Sequence, residues 1–165
     1  MLLSLKDIFA VEGAELTVDG QLDFSEIELD GLNPFVSPVQ VQAVVYNRAG
    51  VVHLDLHTVF TFCHPCDRCA KDLVLHPDYT FTHVLVQTRN SDDADDVFIL
   101  VHNDELELDD LVREDILLEL PTKYLCKPDC KGLCPQCGKN LNEGSCNCST
   151  RQVDPRFEVL QQLID

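Results

Sequence analysis

The chain has 165 residues, 45% of them apolar, which is enough for one globular core, and no apolar run approaches the roughly 20 residues that a membrane-spanning helix needs. Its formal net charge is −17, and residues 91–120 alone carry twelve acidic side chains against one basic side chain, Arg113. Such a surface repels phosphate, which excludes an extended basic face for nucleic acid; it suits a strongly basic protein partner, or it serves only for solubility.

The first hundred residues predict an antiparallel sheet. After a short predicted helix at residues 3–9, apolar and polar side chains alternate in residues 39–45, and the sequence N-R-A-G at 47–50 predicts a hairpin turn. Alternation returns in residues 52–62 and 81–86, and a short strand is predicted at 97–101. We expect about four to six strands, flat or closed into a barrel-like sheet, with His53 and His57 on its polar surface.

A helix that covers this sheet is predicted where the apolar period changes near residue 109. Leu111, Val112 and Ile116 lie on its apolar face, with Asp109 or Asp110 as the N-cap and Pro121 ending it. The fold class is therefore α+β. We divide the chain into a sheet-and-helix domain (1–121), a zinc-binding knuckle (122–150) and a C-terminal helix (151–165).

Six of the nine cysteines lie in the run CKPDCKGLCPQCGKNLNEGSCNC, which ends at Cys148. Cysteine pairs beside glycine turns aim several thiolates at one point, as a tetrahedral Zn²⁺ with Zn–S bonds of about 2.3 Å requires. The odd count and an N-terminus without a signal-peptide pattern predict a reducing, cytoplasmic location, where disulfides are rare. We expect Zn²⁺; an iron–sulfur cluster, disulfides and free thiols are the alternatives.

Two ligand sets account for eight of the cysteines. The first cysteine group consists of Cys134, Cys137, Cys146 and Cys148. The second cysteine group adds the pair Cys126 and Cys130 to the pair Cys66 and Cys69 of the turn C-D-R-C. Spacing alone does not assign ligands across 57 residues of chain, so a reduced, metal-free pair in that turn is the alternative. Cys63 receives no role.

Three segments resemble one family. They are C-D-R-C at 66–69, LDDLVREDILLELP at 108–121, and the cysteine run from residue 125 with DPRFEVL at 154–160. In this order and spacing they resemble the bacterial YceD family, the large ribosomal RNA subunit accumulation proteins, over residues 60–165. The resemblance implies a non-enzymatic role in 23S ribosomal RNA accumulation and large-subunit assembly. Some relatives lack the C-terminal cysteines, which implies that zinc is a structural staple; Cys63 departs from the family pattern.

Three functions remain open at this point, and we expect the first. An interaction protein would engage a basic ribosomal protein or a ribosomal RNA maturation factor through its sheet and acidic helix, with the interaction residues Asp109, Asp110, Arg113, Glu114 and Asp115. A zinc-knuckle RNA-binding module would use the basic residues Lys127, Lys131, Lys139, Arg151 and Arg156. A thiol–disulfide oxidoreductase would use Cys134 and Cys137 or Cys66 and Cys69, but Gly138 follows the first pair and no helical pattern begins there. No catalytic residue is expected.

Overall fold

The computed structural model describes residues 1–88 and 98–148. In these residues nine strands and two helices follow one another along the chain. They are β1 (Leu2–Ser4), α1 (Lys6–Ala10), β2 (Glu15–Leu22), β3 (Val39–Arg48), β4 (Val51–Val59), β5 (Phe62–Pro65), β6 (Asp72–Leu75), β7 (Asp78–Val86), β8 (Phe98–Leu100), β9 (Glu105–Glu107) and α2 (Leu108–Glu119).

The main sheet has five strands in the order β2-β3-β4-β7-β8. The first four are antiparallel, which confirms the predicted antiparallel sheet with a helix. Two features differ from the prediction. β8 runs parallel to β7, because a short apolar run reveals a strand but not the direction in which it pairs. The sheet also stays open in the described residues, with β2 and β8 as its edges, so the barrel-like form is wrong.

The hairpin between β3 and β4 sets the register of the sheet. Ala49 and Gly50 form its turn with φ values of 53° and 80°, as a two-residue type I′ connection requires. The Asn47 side chain caps this turn by accepting the Gly50 N–H at 3.1 Å. The turn predicted at 47–50 is confirmed, and it pairs Arg48 with Val51 at the end of the ladder.

The inner face of the sheet carries the alternating apolar side chains. Alternate residues of β3 and β4 are buried from Val39 to Val45 and from Val52 to Leu56. Full burial of one such side chain contributes about 1.5–3 kcal/mol. The strand predicted at 52–62 is interrupted after Val59, however. Phe60 and Phe62 pack instead against the Phe35 ring, with ring centroids 5.4 and 5.2 Å from it.

Helix α2 packs on this inner face. Its buried residues are Leu108, Leu111, Val112 and Ile116, and the Asp115 carboxylate meets the His83 ring of β7 at 2.7 Å. The predicted caps Asp109 and Asp110 are wrong. Glu107 is the N-cap and no side-chain hydrogen bond caps α2, because Glu107 ends β9 and the Leu108 N–H donates to the Met1 carbonyl at 3.0 Å. Asp109 and Asp110 lie in the first turn, where the helix dipole favours them.

The N-terminal helix begins later and is shorter than the helix predicted at residues 3–9. Residues 2–4 form β1, which pairs with β9, and α1 begins only at Lys6. Pairing with β9 satisfies backbone groups that a helix over residues 3–9 would have bonded internally. The polar face of β4 carries His53 and His57 as expected, with His57 at 2.7 Å from Asp78.

The chain divides into two compact units. Among the described residues, the sheet unit contains 1–64, 72–88 and 98–122, and the cysteine unit contains 65–71 and 123–148. The predicted three-part division stays a prediction, and its terminal helix at 151–165 lies outside the described residues. Across the described ranges, no helix is both long and apolar enough to cross a bilayer.

Candidate functional site

The cysteine unit begins with the loop between β5 and β6. The Cys66 N–H donates to the Lys71 carbonyl and the Ala70 N–H to the Cys66 carbonyl, each at 2.8 Å. Ala70 has a φ of 54°, which closes the loop tightly. These bonds turn Cys66 and Cys69 toward one point, so the C-D-R-C sequence forms a knuckle with two thiols.

Four sulfur atoms meet in the second cysteine group. The Sγ atoms of Cys66, Cys69, Cys126 and Cys130 all lie within 4.8 Å of one another. Cys66 Sγ lies 3.9 Å from Cys130 Sγ, and Cys69 Sγ lies 3.6 Å from Cys126 Sγ. A disulfide needs about 2.05 Å between sulfurs. A tetrahedral zinc with Zn–S bonds of about 2.3 Å places its sulfurs about 3.8 Å apart. The spacing therefore fits a metal.

Backbone and side-chain N–H groups point at these sulfurs. The Cys126 N–H donates to Cys66 Sγ at 3.3 Å, and the Asn142 side-chain amide donates to Cys130 Sγ at 3.3 Å. Burial raises the pKa of the Cys66 thiol, but the N–H groups of Cys126, Arg68 and Cys69 outweigh it and lower that pKa to about 6. These donors stabilise sulfur in its charged form, which is the form that binds metal.

Of the other three thiols in the second group, two have a raised pKa and one has a lowered pKa. Burial, followed by hydrogen bonds from the neighbouring thiols, raises the pKa of Cys126 to about 12. The Lys71 N–H lowers the pKa of Cys69, but burial and the Cys66 thiol together raise it above its ordinary value. Burial raises the pKa of Cys130, but the Asn142 amide and a backbone N–H bring it below its ordinary value. In the absence of metal, the thiols of Cys126 and Cys69 therefore hold their protons more tightly than those of Cys66 and Cys130.

The first cysteine group has the same four-sulfur arrangement. The Sγ atoms of Cys134, Cys137, Cys146 and Cys148 lie within 4.8 Å of one another. A tight turn builds it, because the Gly138 N–H donates to the Cys134 carbonyl at 2.9 Å and Gly138 has a φ of 70°. Backbone N–H groups of Cys137 and Gln136 lower the pKa of Cys134 to about 6. The Cys137 side chain and burial raise that of Cys148 to about 12.

Both groups can hold a metal ion through four thiolates. All nine cysteines are free thiols, and Cys63 belongs to neither group. Four sulfurs of one kind suit zinc or iron more than a hard cation. They also complete a tetrahedral shell, as in structural zinc sites. Residues 135–137 form a turn, so no helix begins at the Cys134–Cys137 pair as a redox-active C-x-x-C would require.

Three of the five predicted interaction residues are exposed on α2, and two are partly buried. Asp110 and Arg113 are exposed and 3.1 Å apart, and Glu114 is exposed beside them. Asp109 is half-buried and binds the N-terminal ammonium of Met1 at 2.6 Å. Asp115 is only 11% exposed and is held by His83. A helical sequence alone does not reveal that one acidic residue of this series faces inward.

An acidic groove lies beside the first half of α2. It is a cavity of about 440 Å³, lined by apolar and acidic side chains of β1, β8, β9 and α2 and by His102 and Asn103 of the loop between β8 and β9. Leu2 and Leu100 are exposed to 58% and 36% at its wall. Its acids are Glu105, Glu107, Asp110 and Glu114, and no lysine or arginine in the described ranges lines it. The sequence indicated the acidity here but not the apolar wall, which comes from three separate segments.

The basic residues proposed for RNA are less concentrated. Lys127 lies 4.0 Å from Asp129, and the Lys139 ammonium donates to the Ser145 carbonyl at 2.8 Å. Lys131 lines a shallow pocket beside Glu143. Arg151 and Arg156 lie outside the described residues. In the described part of the cysteine unit, these lysines stand next to acids or carbonyls.

Sequence reasoning missed two polar residues of the cysteine unit. The Arg68 guanidinium donates to the Cys130 carbonyl at 2.8 Å, and Asn142 touches Cys130 Sγ. Both come from the quoted motifs, Arg68 from C-D-R-C and Asn142 from the run G-K-N-L-N-E-G. Their presence between cysteines was the available signal, because polar residues around a metal site orient its ligands.

Comparison with known proteins identifies a family whose profile matches most of the chain. The family profile described as "Large ribosomal RNA subunit accumulation protein YceD" matches residues 54–164. An uncharacterized protein of Bacillus subtilis, YlbN, is 28% identical over 78% of this chain and 76% of its own length. The chloroplastic large ribosomal RNA subunit accumulation protein YCED homolog 1 of Zea mays is 27% identical over 92% of this chain. This chain spans 62% of the maize protein, and 49% of a 28% identical Mycobacterium tuberculosis protein. No solved structure matches.

Proposed function

Because the chain belongs to the YceD family of large ribosomal RNA subunit accumulation proteins, we propose that it is a non-enzymatic ribosome biogenesis factor. It supports the accumulation and processing of 23S ribosomal RNA and the assembly of the large subunit in the bacterial cytoplasm. The family match, which covers residues 54–164, carries this proposal. The acidic groove and the two cysteine groups suggest how the chain acts.

The acidic groove is the proposed contact surface for a basic protein, either a ribosomal protein or a maturation factor of ribosomal RNA. Glu107 already binds the Met1 ammonium at 2.8 Å and Asp110 lies 3.1 Å from Arg113, so Glu105 and Glu114 are the acids proposed to attract lysine and arginine side chains. Leu2 and Leu100 offer apolar contact for an anchoring residue. Asp109 and Arg113 extend this surface along α2, while Asp115 stabilises the helix against the sheet. A surface with this charge speeds association with a basic partner.

Zinc is the proposed metal of both cysteine groups. Each group offers four thiols, which fill the four coordination positions of a structural zinc ion and leave none open for water. The metal would hold the cysteine unit folded and would not enter a reaction. The residues that would bind it are Cys134, Cys137, Cys146 and Cys148 in the first group and Cys66, Cys69, Cys126 and Cys130 in the second.

The cellular role is tested by deleting the gene in its own host. We expect the ratio of 23S to 16S ribosomal RNA and of large to small subunits to fall, and to recover when the wild-type gene is supplied. An unchanged ratio in the deletion strain, at several growth temperatures, would contradict the proposal. Pull-down with and without nuclease then separates protein partners from RNA contact.

The contact surface is tested by charge reversal. Glu114→Lys reverses a charge in the groove, and Glu12→Lys makes the same change at an exposed position outside its lining. We expect Glu114→Lys to weaken binding of the captured basic partner about tenfold at low salt, and Glu12→Lys to weaken it far less. Binding of the wild type should also weaken as salt increases. Equal effects of the two variants would place the contact elsewhere.

A further inference from the structure

One side chain connects the two cysteine groups. Asn142 lies in the loop between Cys137 and Cys146, both of which belong to the first group. Its amide nitrogen nevertheless donates to Cys130 Sγ of the second group at 3.3 Å. A residue carried by one metal site therefore completes the hydrogen bonding of a ligand in the other.

The orientation of this amide is determined by its other contacts. The backbone N–H of Lys131 donates to the Asn142 side-chain oxygen at 2.9 Å. The amide nitrogen also donates to the side-chain oxygen of Asn140 at 2.9 Å. Because a backbone N–H cannot accept, the oxygen must face Lys131, and the nitrogen must face Cys130. The donor to sulfur is thus specified by the surrounding hydrogen bonds.

The loop that carries Asn142 runs between two cysteines of the first group, and backbone hydrogen bonds hold it to Cys134 and to the segment that joins the two groups. The Cys134 N–H donates to the Lys139 carbonyl at 2.9 Å, and the Leu141 N–H donates to the Gly132 carbonyl at 2.9 Å. The Asn142 N–H donates to the Asn140 side chain at 3.0 Å. Loss of the first metal would release the two ends of this loop at Cys137 and Cys146. We therefore expect the position of Asn142 to depend on an intact first group.

We propose that Asn142 couples the two metal sites, so that metal in the first cysteine group strengthens metal binding in the second. This rests on metal binding by both groups as proposed above. The side-chain amide of Asn142 stabilises the thiolate of Cys130 and holds it in the geometry that the metal requires. Polar residues of this kind change metal affinity by about 10- to 100-fold in other sites. Loading of the two sites is consequently cooperative in this chain.

The test compares four full-length proteins: wild type, Asn142→Asp, Cys134→Ser with Cys137→Ser, and the combination of all three changes. Asn142→Asp keeps the oxygen that accepts from Lys131 but replaces the donor that faces Cys130. Metal is removed from each protein by a competing chelator, with Zn²⁺ and with Co²⁺, whose thiolate absorption reports the sites directly. A Cys66→Ser with Cys69→Ser variant contains only the first group and assigns the two release steps.

We expect Asn142→Asp to weaken metal binding at the second group by about 10- to 100-fold and to leave the first group unchanged. Disabling the first group should have a similar effect, and adding Asn142→Asp to it should change affinity less than about threefold, because the donor is already displaced. Asn142→Ala, which adds no charge, should follow Asn142→Asp. Asn147→Asp places the same charge at an exposed position outside that loop, between Cys146 and Cys148, and should leave metal binding at the second group unchanged.

Coupling is refuted if Asn142→Asp and Asn142→Ala bind metal like the wild type. It is equally refuted if the effect of Asn142→Asp is fully retained after the first group is disabled, since the two sites would then act independently. A wild-type chain that binds no metal at either group would refute the zinc proposal itself. Two metals bound without coupling would leave the zinc proposal intact and reject only the role of Asn142.

Discussion

Gly132 is the residue of the cysteine unit whose substitution has the most specific expected consequence. It lies between Cys130 and Cys134 with a φ of 74°, in the left-handed region. A Cβ atom at this position would come within 2.8 Å of the Arg68 carbonyl oxygen, closer than real Cβ atoms approach. That same carbonyl accepts the Leu133 N–H at 3.0 Å. Alanine here would therefore push the two cysteine-bearing segments apart.

Two contributions determine how much Gly132→Ala destabilises the cysteine unit. Left-handed backbone costs an L-residue about 1–2 kcal/mol, and displacement of the Arg68 carbonyl loses a hydrogen bond of about 0.5–1.5 kcal/mol together with some packing. We expect Gly132→Ala to cost about 2–4 kcal/mol. Gly138→Ala is the matched control, because its φ of 70° is similar but no atom lies within 4 Å of its added Cβ. It should cost only about 1–2 kcal/mol.

Chelator competition measures the difference in stability between the two variants. Metal binding and folding are coupled in a small metal-bound unit, so a loss of folding free energy lowers its metal affinity. At about 1.4 kcal/mol per tenfold, Gly132→Ala should weaken metal retention about 30- to 700-fold, and Gly138→Ala about 5- to 30-fold. Circular dichroism of the sheet unit should remain unchanged for both variants. Equal losses for the two variants would show that the contact with Arg68 has no energetic role.

The other predictions concern the second cysteine group and α2. Metal affinity at the second group should rise with pH through the neutral range, because Cys126, with its pKa near 12, and Cys69, with its raised pKa, must each lose a proton on binding. Cys66, with a pKa of about 6, adds a further proton only below that pH. Chelator titrations at several pH values measure this, and a pH-independent affinity contradicts it. Asp115→Ala should lower the free energy of unfolding by about 1–3 kcal/mol because it leaves His83 without its carboxylate, whereas Asp110→Ala, at an exposed site, should change it by less than about 0.5 kcal/mol. Urea unfolding distinguishes the two, and equal losses would contradict the structural role of Asp115.

Strand prediction succeeded where the sheet has one buried face. In β3 and β4 the apolar side chains alternate because one face packs on the core and the other does not. The turn at Ala49 and Gly50 was readable because its backbone needs positive φ. The break after Val59 was not readable. Phe60 and Phe62 continue the alternation but pack on Phe35, which comes from another part of the chain.

The N-cap of α2 was also predicted incorrectly, because a distant segment of the chain determines where the helix begins. Aspartates before an apolar stripe are common N-caps, and two of them precede Leu111. The chain instead enters α2 directly from β9, whose pairing with β1 fixes Glu107 and brings Met1 to the helix start. Local preference was therefore overridden by strand pairing with a segment more than a hundred residues away.

The sequence by itself determined the paired cysteines, the glycine turns beside them and the alternating strands, because each depends on neighbours within a few residues. Only the tertiary structure decided which cysteine pairs meet in one four-sulfur group, since Cys69 and Cys126 are 57 residues apart. It also decided that Asp115 faces His83 and that Asn142 faces Cys130. These contacts form where separate segments pack together, and no local spacing specifies that packing.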